Sequence, residues 1–334
     1  MPTAPSDPSG RDGADRSRRP GGMGLDPELA AMQVLMPRID IAEVEQARAT
    51  EAMLVANMRS SDRRHEVETT DSVVLRPDGT HLAVRGYRPR TRRRGPLPML
   101  LFIHGGSFVT GDLETEDARC EIYAAEAECV VFAVDYRLAP ENPFPAGLDD
   151  CSTALAHLRD RADELGIDNG RVAIGGLSAG GALASGTALR CGGDGRPALV
   201  LQMLLFPVLD AGLTTHTARH YSDTPVLTHE TLRDMWRLYL GPEWRPGQAS
   251  YPVHSSPAHE PDLSLSPPTY LCTAGHDPLR DEALEHAQRL MRAEVQVDLR
   301  VYARGFHSFD SFHATRLGRS AIRDQVEALR AAFA

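Results

Sequence analysis

The chain has 334 residues, 42% hydrophobic and 25% charged, which suits one large α/β domain with an appendage, or two small domains. Its formal net charge of −10 argues against nucleic acid or an anionic membrane as a partner. All 36 basic residues are arginine, so Ser–Lys dyads, Schiff-base chemistry and a P-loop lysine are excluded.

Residues 1–23 are almost throughout Pro, Gly, Ser, Asp and Arg, the composition of a disordered tail. Leu25, Leu29, Met32 and Met36 then recur at three- and four-residue intervals, and a second helical run extends from Asp40 to Met58. Two strand-like segments, Glu66 to Leu75 and His81 to Tyr87, flank the turn signal Pro77-Asp78-Gly79. The basic run Arg88 to Arg94 reads as a solvated loop.

From Pro98 strands and helices alternate. The apolar runs Met99–Ile103, Val130–Val134, Arg171–Gly175, Ala198–Leu205, Thr269–Ala274 and Val295–Tyr302 read as strands. Helices are expected over Thr115–Glu128, Leu148–Leu165, Ala179–Leu189, Asp281–Met291 and from about Ala314. Continuous apolar strands between amphipathic helices predict a mostly parallel sheet covered on both faces. One interruption, residues 210–265, contains a predicted helix ending at Leu240 with Thr228 as its N-cap.

The strongest chemical signal is Gly176-Leu177-Ser178-Ala179-Gly180-Gly181. It is a G-x-S-x-G motif entered by a short strand and left by a helix of small residues. Such an elbow holds a serine hydroxyl exposed at the carboxyl edge of a sheet. Upstream, His104-Gly105-Gly106-Ser107-Phe108 follows an apolar strand. Glycines there let backbone N–H groups approach a developing oxyanion.

A nucleophilic serine needs a base and a group to orient that base. Asp277 and His307 both fall just past predicted parallel strands, on the edge that carries Ser178, and in the order Ser, Asp, His. Asp281 competes for the acid position but falls inside the next helix. His276 and His313 compete for the base position. One precedes the acid itself and the other enters the last helix.

These motifs together resemble the hormone-sensitive-lipase family of bacterial carboxylesterases, within the α/β-hydrolase superfamily. The matching blocks are His104-Gly105-Gly106, Asp135-Tyr136-Arg137-Leu138-Ala139-Pro140-Glu141, Pro143-Phe144-Pro145-Ala146, Ser178-Ala179-Gly180-Gly181, Asp277-Pro278-Leu279-Arg280-Asp281-Glu282 and His307. The likeness runs from about residue 70 to the C-terminus. It implies an α/β-hydrolase fold with an eight-stranded, mostly parallel sheet flanked by helices. It also implies a helical cap made from helices within 24–60 and an insertion at 210–250. The catalytic domain would then be 61–209 with 251–334. Oxyanion donors are implied at the backbone of Gly106, Ser107 and Ala179. Two positions depart from the family pattern: Ser107 stands where a third glycine is usual, and Leu177 where the residue before the nucleophile is usually polar.

The expected function is a serine carboxylesterase that hydrolyses short- to medium-chain acyl esters through an acyl-enzyme, with Ser178, Asp277 and His307 as the catalytic residues. The same triad could serve an amidase, a lactonase or a deacetylase. A non-catalytic ligand-binding protein on this scaffold is the other alternative, as plant gibberellin receptors resemble the family. Those receptors lack the histidine, whereas all three positions are filled here. No cofactor and no metal are expected, since no His, Cys or carboxylate cluster has ligand spacing. The five cysteines lack a CxxC pair, no apolar leader is present and no stretch reaches membrane-spanning length, so a soluble cytoplasmic protein is expected. The expected partner is a small-molecule ester, with no nucleic acid and no membrane; a homodimer is left open. Met32, Met36, Met53 and Met58 either line an acyl pocket or pack on the sheet.

Overall fold

The computed structural model describes residues 24–34, 36–58, 66–90, 95–192, 195–196 and 198–334. The expected disordered tail, residues 1–23, lies outside the described residues, as do positions 61–65 of the expected catalytic domain.

Helix α1 (Pro27–Gln33) opens with proline at its first position, and the Asp26 carboxylate accepts from Glu28 N at 3.0 Å. That cap satisfies one of the amides a helix start leaves unpaired. Helix α2 spans Val44–Met58. Strands β1 (Val67–Leu75) and β2 (His81–Pro89) pair antiparallel, from Val67 opposite Pro89 to Leu75 opposite His81. Asp78 accepts from Thr80 N at 2.9 Å to close the turn between them.

The remaining strands are β3 (Leu97–Ile103), β4 (Val130–Val134), β5 (Ile167–Leu177), β6 (Leu201–Leu205), β7 (Thr269–His276) and β8 (Val297–Phe306). They form one eight-stranded sheet in the order β1-β2-β4-β3-β5-β6-β7-β8. From β4 to β8 every pairing is parallel, and β2 lies antiparallel to both β1 and β4. All residues of β3, β4 and β6 are buried, which is why those segments read as continuous apolar runs instead of alternating ones.

Helices α3 (Asp117–Ala127), α4 (Ala146–Asp160), α5 (Ala179–Cys191), α6 (His216–His220), α7 (His229–Leu240), α8 (Arg280–Arg292) and α9 (Arg316–Ala332) complete the chain. Two apolar layers result. One joins Leu148, Leu155, Leu183 and Ala287 with Met99, Leu101 and Ile174; the other joins Tyr123, Ile322, Val326 and Leu329 with Leu100, Phe102 and Leu205. Thus α4, α5 and α8 cover one face, and α3 and α9 the other. The stripe Ala321, Ile322, Val326 and Leu329 makes α9 adhere, since each fully buried large aliphatic side chain contributes roughly 1.5–3 kcal/mol. Thr228 caps α7 by accepting from Thr231 N, as its position before the helix predicts.

Several local expectations need correction. Arg88 is not in a loop: β1 extends far enough to pair Glu68 with Arg88, and the Arg88 guanidinium donates to the Leu165 carbonyl. Positions 91–94 of that basic run lie outside the described residues. Strand β5 also begins at Ile167, four residues before the expected start, because Ile167 pairs with Leu97 before the apolar part of the strand begins.

Candidate active site

Ser178 sits between β5 and α5 with φ 55° and ψ −117°, a left-handed conformation that costs any residue with a side chain. Its surroundings hold it there. Ser178 N donates to Leu205 O at 2.8 Å, and Val208 N donates to Ser178 O at 3.1 Å, so the end of β6 fixes the turn from the side. The small residues of the motif are required by close approach. A Cβ on Gly176 would lie 2.2 Å from Gly180 O, and one on Gly180 would lie 2.1 Å from Ile103 O. The helix therefore starts directly against the ends of β5 and β3, and the hydroxyl stands at the carboxyl edge of the sheet.

Asp277 follows β7 and His307 follows β8, so both reach the same edge. His307 Nε2 lies 3.0 Å from Ser178 Oγ, and His307 Nδ1 lies 2.9 Å from Asp277 Oδ2. An ionised carboxylate can only accept, so Nδ1–H donates to Asp277 and Nε2 is left to accept from the hydroxyl. Asp277 Oδ1 accepts from Leu279 N at 2.9 Å, which holds the carboxylate in line. All three side chains are buried, with Asp277 having no exposed surface. A hydroxyl on an imidazole, itself oriented by a carboxylate, is the constellation for acyl transfer.

The competing residues fall elsewhere. Asp281 accepts from Thr217 N at 3.1 Å and pairs with Arg280 at 2.9 Å, so it anchors α6. His313 borders the cavity near Ser178, but burial and the neighbouring Arg119 charge push its ring down to about 4. His276 stands on β7, before the acid.

The loop after β3 turns sharply, with φ 98° at Gly106, 56° at Ser107 and 62° at Phe108. Val109 N and Thr110 N both donate to Gly106 O, at 2.9 and 2.8 Å. The N–H groups of Gly106 and Ser107, and that of Ala179 at the start of α5, find no acceptor among the described residues. Gly106, Ser107 and Ser178 border one cavity of about 580 Å³. Leu177, the apolar departure from the family pattern, is buried and borders the same cavity.

Several residues that support the site escaped the reading of the sequence. Tyr136 donates from its hydroxyl to the carbonyls of His104 and Gly105, both at 3.2 Å, and stacks on His104 at 4.3 Å. It thereby braces the loop from below, and burial pushes the His104 ring down to about 4, so that it stacks uncharged. Behind His307, the turn Phe309–Ser311 carries Asp310, which has no exposed surface. Arg119 reaches Asp310 at 2.8 and 3.1 Å and Glu116 at 2.7 Å, and Gln325 donates to Asp310 at 2.8 Å. Burial pushes Asp310 up, but the Arg119 charge and these hydrogen bonds outweigh it and hold the carboxyl below its ordinary value. Tyr136 belonged to a recognised block, yet its partners are distant in sequence; Arg119 gave no local signal.

A roof partly covers the cavity. Loop residues Met36, Pro37, Ile39 and Ile41 border it, with Glu51, Leu54 and Val55 of α2, and Val226, Leu227 and Thr231 at the start of α7. Tyr239 of α7 stacks on Phe108 at 3.7 Å. Of the four methionines considered for the pocket, Met36 borders the cavity and Met53 is 66% exposed. Met32 is half-buried and does not border the cavity, and the Met58 side chain lies outside the described residues.

A family model described as alpha/beta hydrolase fold matches residues 100–311. The chain belongs to the α/β-hydrolase family. This α/β-hydrolase is 34% identical over 235 residues to esterase LipI of Mycobacterium tuberculosis (strain ATCC 25618 / H37Rv), covering 70% of this chain and 72% of the relative. Carboxylesterase NlhH of Mycobacterium tuberculosis (strain CDC 1551 / Oshkosh) is 34% identical over 257 residues, 75% of this chain and 80% of its own. Among solved structures, a bacterial heroin esterase superposes with a TM-score of 0.89 at 36% identity, covering 93% of this α/β-hydrolase and 98% of that chain. The resemblance read from the motifs thus holds: these relatives carry the names of esterases. Among the described residues, no helix is long and apolar enough to cross a membrane.

Proposed function

We propose that this α/β-hydrolase is a serine carboxylesterase, acting on small esters with short- to medium-chain acyl groups through an acyl-enzyme. The observation that carries the proposal is the His307 bridge, 3.0 Å to Ser178 Oγ and 2.9 Å to Asp277 Oδ2. His307 takes the hydroxyl proton as Ser178 Oγ attacks the ester carbonyl, and Asp277 holds the imidazole in the required tautomer. The N–H groups of Gly106, Ser107 and Ala179 receive the oxygen on which charge develops. His307 then returns the proton to the leaving alkoxide. Water, deprotonated by the same imidazole, releases the acid and restores the serine. A cavity of about 580 Å³ suits a drug-sized molecule, which favours small esters as substrates. Cytoplasmic action is part of the proposal, supported by five free cysteines, four of them buried, as a reducing compartment would keep them.

The test is a panel of acyl esters, acyl amides and lactones, assayed with the wild type and Ser178→Ala. Ester hydrolysis should dominate, and the variant should lose on the order of 10⁴- to 10⁶-fold in turnover. A serine-directed phosphonate should modify the peptide that contains Ser178. Ester turnover that persists in Ser178→Ala would overturn the mechanism, while a dominant amide or lactone activity would correct the substrate class alone.

A further inference from the structure

Beyond Ser178 the cavity runs between α2 and α3, and carboxylates line it: Glu51, Glu114, Glu116, Asp117 and Glu121. Most of that charge is answered within the protein. Arg85 pairs with Glu114 at 2.9 Å and Asp117 at 3.3 Å, and Arg119 pairs with Glu116 at 2.7 Å. Glu51 is different. Its Oε2 is shut off from solvent and has no hydrogen-bond partner, although the carboxyl borders the cavity. Arg48, one helical turn earlier, is fully engaged with Glu141 at 2.8 and 2.7 Å and with the carbonyls of Val109 and Ala139.

The electrostatic setting of Glu51 is one-sided. Burial pushes its carboxyl up; the Thr110 hydroxyl and the Gly111 N–H pull it down; Glu116 and Asp112 push it up again. A buried carboxyl without a counter-charge is costly, and a bound cation would relieve that cost. An adjoining hollow has the same sign. This second hollow, of about 370 Å³, shares Met36, Ile39, Val226 and Thr231 with the first. Its rim carries Asp40, Asp223, Glu230 and Asp234 against one arginine, Arg38.

We propose that Glu51 is a specificity residue, and that the substrate class of this site includes esters bearing an ammonium group, which the Glu51 carboxylate receives while the ester carbonyl meets Ser178. The proposal rests on the esterase reading above. The terminal torsion of a glutamate is broad, so a small rotation presents either oxygen to the cavity. A carboxylate carries lone pairs on both oxygens for a charged donor. The competing role is purely mechanical: Glu51 would brace the oxyanion loop through Thr110 and Gly111 and never touch substrate.

Two isosteric ester pairs separate these roles. One carries charge on the acyl side, p-nitrophenyl 6-aminohexanoate against p-nitrophenyl heptanoate. The other carries it on the alcohol side, 2-(dimethylamino)ethyl butyrate against 3-methylbutyl butyrate. In at least one pair the wild type should favour the cationic ester in kcat/KM by about ten- to a hundredfold, as a charge-assisted hydrogen bond gives. Glu51→Gln should bring that ratio close to one. If Glu51→Gln lowers both members equally and the ratio stands, the residue is a brace and the proposal is overturned. A preference that survives Glu51→Gln and fades with added salt belongs to the rim charges, and overturns it equally. Equal hydrolysis of both members by the wild type sinks this inference alone; no hydrolysis of any ester sinks the esterase reading with it.

Discussion

The sheet edge and the roof over it are built on different terms. At the edge, Ser178, Asp277 and His307 are buried, hydrogen-bonded in sequence and carried by backbone that leaves no room even for a methyl group at Gly176 or Gly180. The roof is half-buried, and Arg48 of α2 reaches the loops around the site, donating to Val109 O at 2.9 Å and to Glu141 at 2.8 Å. Met53 on that helix is 66% exposed, and Glu51 keeps an unpartnered oxygen. The edge thus fixes a reaction geometry, whereas the roof offers adjustable side chains. On the proposed reading, chemistry and selectivity fall to different parts of the chain.

The sharpest way to break the comparison is at the edge itself. His307→Ala should lower kcat/KM by on the order of 10⁴ or more, and Asp277→Asn by less, because the orienting residue does not transfer the proton. Asp281→Asn, which loosens only the anchor of α6, should fall well short of either. Initial-rate kinetics on one good ester check this; an Asp281→Asn defect larger than that of Asp277→Asn would reverse the assignment of the acid.

Next in size is the buried network behind His307. Arg119→Met strands Asp310 and Glu116, and should cost about 3–5 kcal/mol in denaturant unfolding. Because Asp310 is held below its ordinary value of 3.8, the stability it contributes is fully present above that pH and is lost as pH falls below it. In Asp310→Asn that acid-dependent portion of the unfolding curve should flatten. An unchanged pH profile would remove the network from the account of stability.

The roof should respond by selectivity. Deleting residues 1–60 removes Met36, Ile39, Ile41, Glu51, Leu54 and Val55 from the cavity wall. Each acyl methylene that loses its cover gives up to about 0.8 kcal/mol of binding, roughly fourfold, so the shortest esters should suffer least. A series from acetyl to palmitoyl esters measures this against a deletion of residues 1–23, which should change little. A folded 1–60 deletion with an unchanged chain-length profile would take the roof out of the substrate site.

The smallest effect is expected at Ser107. Its φ of 56° favours glycine, and Ser107→Gly keeps the backbone N–H. Relief of strain and the added freedom of the unfolded chain oppose each other, so stability should move by about 1 kcal/mol or less. The rate should change by much less than the roughly 10²–10³-fold cost of losing an oxyanion donor. A collapse of turnover in a folded Ser107→Gly protein would give the side chain a direct part in the reaction.

The difference between edge and roof also decides what a reader of the sequence can see. Ser178, Asp277 and His307 were legible because each follows a strand, and parallel strands deliver their carboxyl ends to one edge whatever lies between them. The elbow was legible because its packing demands small residues within six consecutive positions. Tyr136 was not, since its role depends on carbonyls 31 and 32 residues away. Arg119 lies 191 residues from Asp310, and nothing local links them. Glu51 sits on a helix whose period shows only that it is a helix. The start of β5 was missed because Asp168-Asn169-Gly170 looks like a turn until Leu97 pairs with Ile167.

Gly180 carries a last consequence. Where its side chain would be, the carbonyls of Ile103 and His104 already lie, at 2.1 and 2.4 Å from the vacant Cβ position. The helix that carries the nucleophile and the strand that feeds the oxyanion loop are therefore one mechanical piece, with no slack between attacking atom and charge-receiving amides. Heat cannot detune one against the other by degrees. As temperature rises, turnover on the smallest ester should hold until this joint parts, and vanish with the sheet.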